Sequence, residues 1–163
     1  MSAEYVYDGL GRRAICEYGY PDSGGGNLTS YYLVYDGVKP IEKRSLVDNH
    51  VMERYYHGPG LNNPLRVDKF AANGVLAGSY DLICDDRGTV IGVVNATTGQ
   101  IIEKLFYNST GLCKAYYANG MPKTHPQDAA YNLGRSEFAP FGWCGMYRDE
   151  FTGLYHTHFR DYD

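Results

Sequence analysis

No apolar run in the 163-residue chain approaches the roughly 20 residues that a membrane-spanning helix needs. There is no basic block either: Lys and Arg number 15 against 19 Asp and Glu, for a net charge of −4. Nucleic acid is therefore not an expected partner, because phosphate contacts need clustered cations. Cysteine pairs are missing too. Cys16, Cys84, Cys113 and Cys144 are widely spaced singles with no Cys-x-x-Cys, so a zinc site has little support and buried free thiols are the plain reading. One disulfide in an oxidising compartment stays open. No Gly-x-Ser-x-Gly, phosphate loop or dinucleotide fingerprint occurs, and Gly24-Gly25-Gly26 lacks the following helix that a phosphate site needs. Neither a cofactor nor a metal is expected. The N-terminus, Met1-Ser2-Ala3-Glu4, is polar and leads straight into a strand, which does not read as a signal peptide. If the chain is exported, the export information would sit elsewhere in a longer protein, or the route would need none.

Runs of Ala and Leu are scarce, whereas Tyr (17) and Gly (20) are abundant. That composition favours short strands and turns over helices. The length suits one domain with a real core. Tyr5-Val6-Tyr7 leads into a turn over Asp8 to Gly11, and Ala14 to Tyr20 returns. Tyr31 to Gly37 repeats the pattern, with Pro40 to Arg44 returning. Arg54-Tyr55-Tyr56-His57-Gly58-Pro59-Gly60 is a third copy, with His57 in the Asp place. Ser79 to Cys84 leads into the turn Asp85-Asp86-Arg87-Gly88, Val90 to Val94 follows, and Asn95 to Gly99 turns back to Ile101–Tyr107. Asn108-Ser109-Thr110-Gly111 is a further turn of the same kind. The loose period of roughly 20–30 residues is that of a stacked array, in which each hairpin buries its aromatic face only against its neighbours. Tyr suits such layers: its ring fills the layer and its hydroxyl reaches water or backbone at the edge.

The chain closes on strand, turn, strand. Asp149 to Gly153 is the turn, and Leu154 to Tyr162 alternates across two faces. Between the arrays and this hairpin, Asn119-Gly120 is a tight-turn signal. Pro126 to Gly134 allows one or two helical turns, capped by Thr124 or His125. The expected fold is all-β, stacked antiparallel β-hairpins, with one short helix as an option near 126–133. Three stretches make one structural unit: 1–112 as repeats, 113–140 as an irregular connection, and 141–163 as the closing hairpin.

These motifs resemble the Rhs and YD-repeat proteins. Tyr5 to Arg12 matches the repeat "Y-x-Y-D-x-x-G-R". Tyr80 to Gly111 is similar to a segment of that family's core through Asp86, Gly88, Thr89, Val90, Gly99, Tyr107 and Gly111, with Asn95 and Asn108 where Asp is usual. The closing run is similar to the core signature "F-x-G-x-x-x-D-x-x-T-G-L-Y-Y-x-x-x-R-Y-Y-D" through Phe141, Gly145, Asp149, Thr152, Gly153, Leu154, Tyr155, Arg160, Tyr162 and Asp163. Glu150 replaces the usual Pro, and His156 a usual Tyr. The resemblance covers nearly the whole chain and is weakest from Ala115 to Glu137.

The resemblance implies a structural role. Such sheets spiral into a shell that encloses a C-terminal toxin or effector, with the core plugging one end, in a protein that is secreted or at the cell surface. The partners implied are the rest of the shell and that toxin. It also implies a self-cleaving aspartyl protease, with Asp149 as the first aspartate and Arg160 as its supporting arginine. The second aspartate belongs to a "G-R-W/F-L-S-x-D-P" segment beyond Asp163, so the pair is incomplete here. Two such carboxylates share a proton, one acting as base toward water and the other as acid. A third role, as a carbohydrate-binding or adhesion module, would need an exposed aromatic platform.

Each candidate also has a plain structural reading. Asp149 suits a turn residue bonding Thr152 or Gly153. Arg160 suits an ion pair on the sheet. His156 and His158 share a strand face but lack a third ligand, and read as surface histidines; His50, His57 and His125 read as turn or surface residues. Asn27, Asn95 and Asn108 match the glycosylation acceptor pattern at or beside turns, where Asn, Ser and Thr are common anyway. Open sheet edges predict a chain that is marginal in isolation or self-associates.

Overall fold

The computed structural model describes residues 2–19, 29–123, 136–149, 152–157 and 160–162. Ten strands form one antiparallel sheet: β1 (Ser2–Tyr7), β2 (Arg13–Gly19), β3 (Thr29–Asp36), β4 (Lys39–Ser45), β5 (Val51–His57), β6 (Pro64–Phe70), β7 (Leu76–Cys84), β8 (Val90–Asn95), β9 (Ile101–Tyr107) and β10 (Cys113–Tyr117). Their order in the sheet is their order in the sequence, so the sheet is an unbroken meander of hairpins. A second sheet joins β11 (Tyr147–Arg148), β12 (Tyr155–Thr157) and β13 (Arg160–Tyr162). The fold is all-β and built of stacked antiparallel hairpins, as the turn pattern predicts. Among the described residues the one helical element is a 3-10 turn, Trp143–Gly145. The helix expected near 126–133 lies outside the described residues, and β10 occupies the first residues of the expected connection.

Local chemistry sets the turns. Asp8, Asp85 and Asn108 each accept two backbone N–H groups through Oδ1: Leu10 and Arg12, Arg87 and Thr89, Thr110 and Leu112. The glycine three residues on closes each turn with φ of 75°, 79° and 86°, a conformation that costs glycine nothing.

Period-2 alternation gives the sheet two faces. Tyr31, Leu33, Tyr55, Val67, Leu82, Val93, Leu105 and Ala115 are buried on the inner one. The opposite face carries charge ladders in water, such as Arg44 and Arg54 gripping Glu42 at 2.7 and 2.9 Å. Residues 136–149 run across the inner face as a strap. Phe141 packs edge-on against Tyr55 at 5.2 Å, and Ala139, Phe141 and Tyr147 complete the sheet's core. The 3-10 turn docks on the hairpin ends: Val90 N–H donates to Gly142 O, Cys144 N–H to Thr89 Oγ1, and Gly111 lies against the Trp143 ring.

The two sheet edges differ. Outside β10, Lys123 N–H donates to Ala115 O at 2.8 Å and Tyr116 bridges Pro122, which has no N–H to offer. All four cysteines are free thiols, Cys16 and Cys113 buried and the other two half-buried.

Candidate functional site

Asp149 ends the strap and begins the closing turn. The turn role expected of it is present: Oδ1 accepts Thr152 N–H at 2.6 Å and Thr152 Oγ1–H at 2.9 Å, and its carbonyl accepts Gly153 N–H. Yet the carboxylate is fully buried. Its Oδ2 meets Arg13 Nη1 at 2.7 Å, both side chains being 0% exposed. The Tyr5 hydroxyl donates to Oδ1 at 3.2 Å, and the Arg13 guanidinium lies 4.1 Å over the Tyr5 ring. Burial, then the Asp149 charge, pushes the Tyr5 phenol well above its ordinary pKa. The closing turn is thus tied to the first hairpin, 136 residues earlier.

A second buried carboxylate holds the other end of the strap. Glu103 on β9 is fully buried and accepts from Lys123 Nζ at 2.5 Å, from Glu137 N–H at 2.9 Å and from the Ser136 hydroxyl. Burial alone would lower the Lys123 pKa, but hydrogen bonds to Glu103 and Glu137 outweigh it and raise the value.

Between these two anchors, under the strap, lies a cavity of about 260 Å³. Lys43, Glu53 and Lys69, cross-strand neighbours on β4, β5 and β6, form its floor, with Glu137, Arg148 and Asp149 around it. Asp149 therefore shares a cavity with two other carboxylates. Glu53 pairs with Lys69 at 3.2 Å and accepts the Tyr55 hydroxyl at 3.0 Å, and Glu137 pairs with Lys123 at 3.0 Å. The cavity is smaller than the sites that take drug-sized ligands. Its chemistry is a balance of fixed charges.

Arg160 lies in β13 opposite Thr157; its side chain, and all of His158 and Asp163, fall outside the described residues. His156 departs from the expectation of a surface histidine: β12 sits between β11 and β13, and His156, opposite Tyr147, is buried. His57 is half-buried against Phe141 and donates Nε2–H to Pro40 O, and desolvation lowers its pKa. Among the described residues most tyrosines are used in packing or hydrogen bonds, and the exposed aromatics there, Tyr7, Tyr56, Phe106 and Tyr117, lie on four different strands. No group of three or more His, Cys, Asp or Glu among the described residues could hold a metal ion, and no helix there is long and apolar enough to cross a membrane. Sequence reasoning missed Arg13, Tyr5, Glu103 and Lys123. Their identities carry no local signal, because each acquires its partner only through the fold.

No family model and no curated protein matches the chain. Solved structures share its fold. The crystal structure of TcdB2-TccC3 superposes with a TM-score of 0.66 at 18% identity, over 98% of this chain and 7% of that one. TcdB2-TccC3-TEV gives 0.63 at 16% identity, with the same coverage of both chains. The chain thus spans a small part of the polypeptides it is similar to.

Proposed function

We propose that the chain is a structural segment of an Rhs/YD-repeat shell, which in a longer secreted or surface protein walls in a C-terminal toxin or effector. One observation carries this reading: an unbroken ten-stranded meander has its inner face covered by the strap and signature hairpin, and the likeness to TcdB2-TccC3 runs over 98% of the chain. The buried charges fit a wall. Asp149 is engaged by Arg13 of β2, and Glu103 of β9 accepts from Lys123 and from the strap's own Ser136 and Glu137, so the strap is pinned at both ends.

A second reading, the self-cleaving aspartyl protease, is favoured by the burial of Asp149 beside a cavity, where a second carboxylate from beyond Asp163 would find room. There one carboxylate would deprotonate water attacking a peptide carbonyl and the other would protonate the leaving amine. Arg160 would support the pair.

The test extends the polypeptide through the downstream genomic sequence and examines the product on a gel, beside Asp149→Asn. Two bands from the native extension and one from the variant support the protease. One band from both leaves the wall alone, and resistance of the downstream domain to added protease then supports enclosure. Ready digestion of that domain would count against it.

A further inference from the structure

His57 stands where the sheet, the strap and the closing hairpin meet. It ends β5, and its ring lies edge-on to Phe141 of the strap at 5.2 Å. A cavity of about 20 Å³ beside it is walled by Tyr35, Lys39 and Pro40 of the sheet, by Phe141 and Tyr147 of the strap, and by His156 of the closing hairpin. The two ring nitrogens differ in their surroundings. Nε2 meets Pro40 O at 2.8 Å. A carbonyl only accepts, so Nε2 carries the hydrogen and the neutral ring keeps a lone pair on Nδ1. Nδ1 is buried and has no hydrogen-bond partner among the described residues.

Protonation turns that lone pair into a charged N–H. No described group that faces the ring balances it. Lys39 is itself a cation, its Nζ donating to Gly58 O at 3.0 Å. Tyr35 and Tyr147 are phenols, and His156 is a second imidazole. On the same strand, Glu53 is paired with Lys69 at 3.2 Å and accepts the Tyr55 hydroxyl. Asp36 stands opposite Lys39 in the β3–β4 register, but it is exposed and outside the cavity. The Phe141 ring offsets part of the cost of a cation beside it, and the cavity has room for about one water. Neither supplies a counter-charge. Burial lowers the His57 pKa from its ordinary 6.5, with the Pro40 bond opposing and the Lys39 charge adding to the fall.

The sheet side of this contact survives protonation, since a charged imidazole still donates through Nε2 to Pro40. We propose that His57 is an acid-sensitive latch for the strap: a proton gained at Nδ1 lifts Phe141 and its neighbours off the inner face so that water reaches the ring, while the sheet beneath stays folded. A base whose pKa is lowered by docking binds its proton more tightly once the strap lifts. Docking is therefore at full strength above pH 6.5 and weakens as the pH falls below it, in the range where histidine alone among side chains ordinarily titrates. The latch does not rest on the shell reading.

Trp143, the chain's one tryptophan, lies in the strap against Tyr107 and Gly111 and reports whether the strap is docked. Acrylamide quenching of its fluorescence from pH 8 to pH 5 tests the latch, beside His57→Gln, whose amide can still donate to Pro40 O but gains no proton in this range. The expected result is quenching that rises below pH 6.5 in the wild type, with the circular dichroism of the sheet retained, and loss of that rise in His57→Gln. Quenching that ignores pH in the wild type overturns the proposal. So does an equal rise in the variant, or a response lost in His156→Gln and kept in His57→Gln. An NMR titration of the His57 ring in the wild type does not depend on any variant folding. Its midpoint should fall below 6.5, together with the change in quenching, and a midpoint at or above 6.5 counts against the latch.

Discussion

Tyr107 and Tyr155 meet beneath the strap, where the added Cβ of any residue replacing Gly142 would lie 3.2 and 3.0 Å from their hydroxyls. Burial, and next the Cys113 thiol, raises both phenols well above the ordinary value of 10.0. A raised pKa in the folded state means stability that is fully present below pH 10 and lost as the pH climbs beyond it. Each phenol that ionises only on unfolding should cost about 1.4 kcal/mol per pH unit in that range. Phenolate absorbance and circular dichroism recorded together should show these tyrosines ionising only as the fold is lost. Full phenolate signal with an unchanged circular dichroism spectrum would refute the burial argument. At this scale the sequence was half legible. Asp149 is recognisable as a turn residue because its partners are three and four residues away. Its tie to Arg13 is not recognisable, and neither is the burial of His156, because alternation along a strand does not say which face will be covered.

The turns were the most legible elements, since Asp or Asn with glycine three residues later forms a closed local unit. What they touch was not legible. Gly88 has φ +79° and an added Cβ would fall 2.2 Å from Asn62 O, while Gly145, from the strap, would press within 2.6 Å of the same carbonyl. Gly99 has φ +71° but open space around it. Alanine at Gly99 should therefore cost only backbone strain, about 1 kcal/mol. Alanine at Gly88 should cost about 3 kcal/mol, strain and overpacking together. Urea midpoints of the two variants check this; equal shifts would mean that the Asn62 contact yields freely.

A meander in strand order, taken alone, is nearly one-dimensional, because each hairpin meets only its neighbours. That much followed from the repeated turns, and so did the all-β class. The strap did not, since a repeat pattern describes stacking and not what lies across the stack. By joining β1 through Tyr5, β2 through Arg13, β5 through Tyr55 and β9 through Glu103, it makes distant hairpins unfold together. Arg13→Met removes one partner of a fully buried ion pair and should cost about 3–5 kcal/mol. Hydrogen exchange should then show amides of β1 and β2 opening ahead of the rest. Exchange of both strands at the global rate in the variant would show that the pair does not couple them.

Asp149 is made 136 residues after Arg13. At a synthesis rate of roughly 5–20 residues per second, that is a wait on the order of ten seconds. Throughout it the first hairpin stands unlatched and the aromatic layer has no cover. A nascent chain arrested before residue 149 would show the cell a sticky, half-closed sheet. The stretch that ends at Asp149 is the one that shuts it.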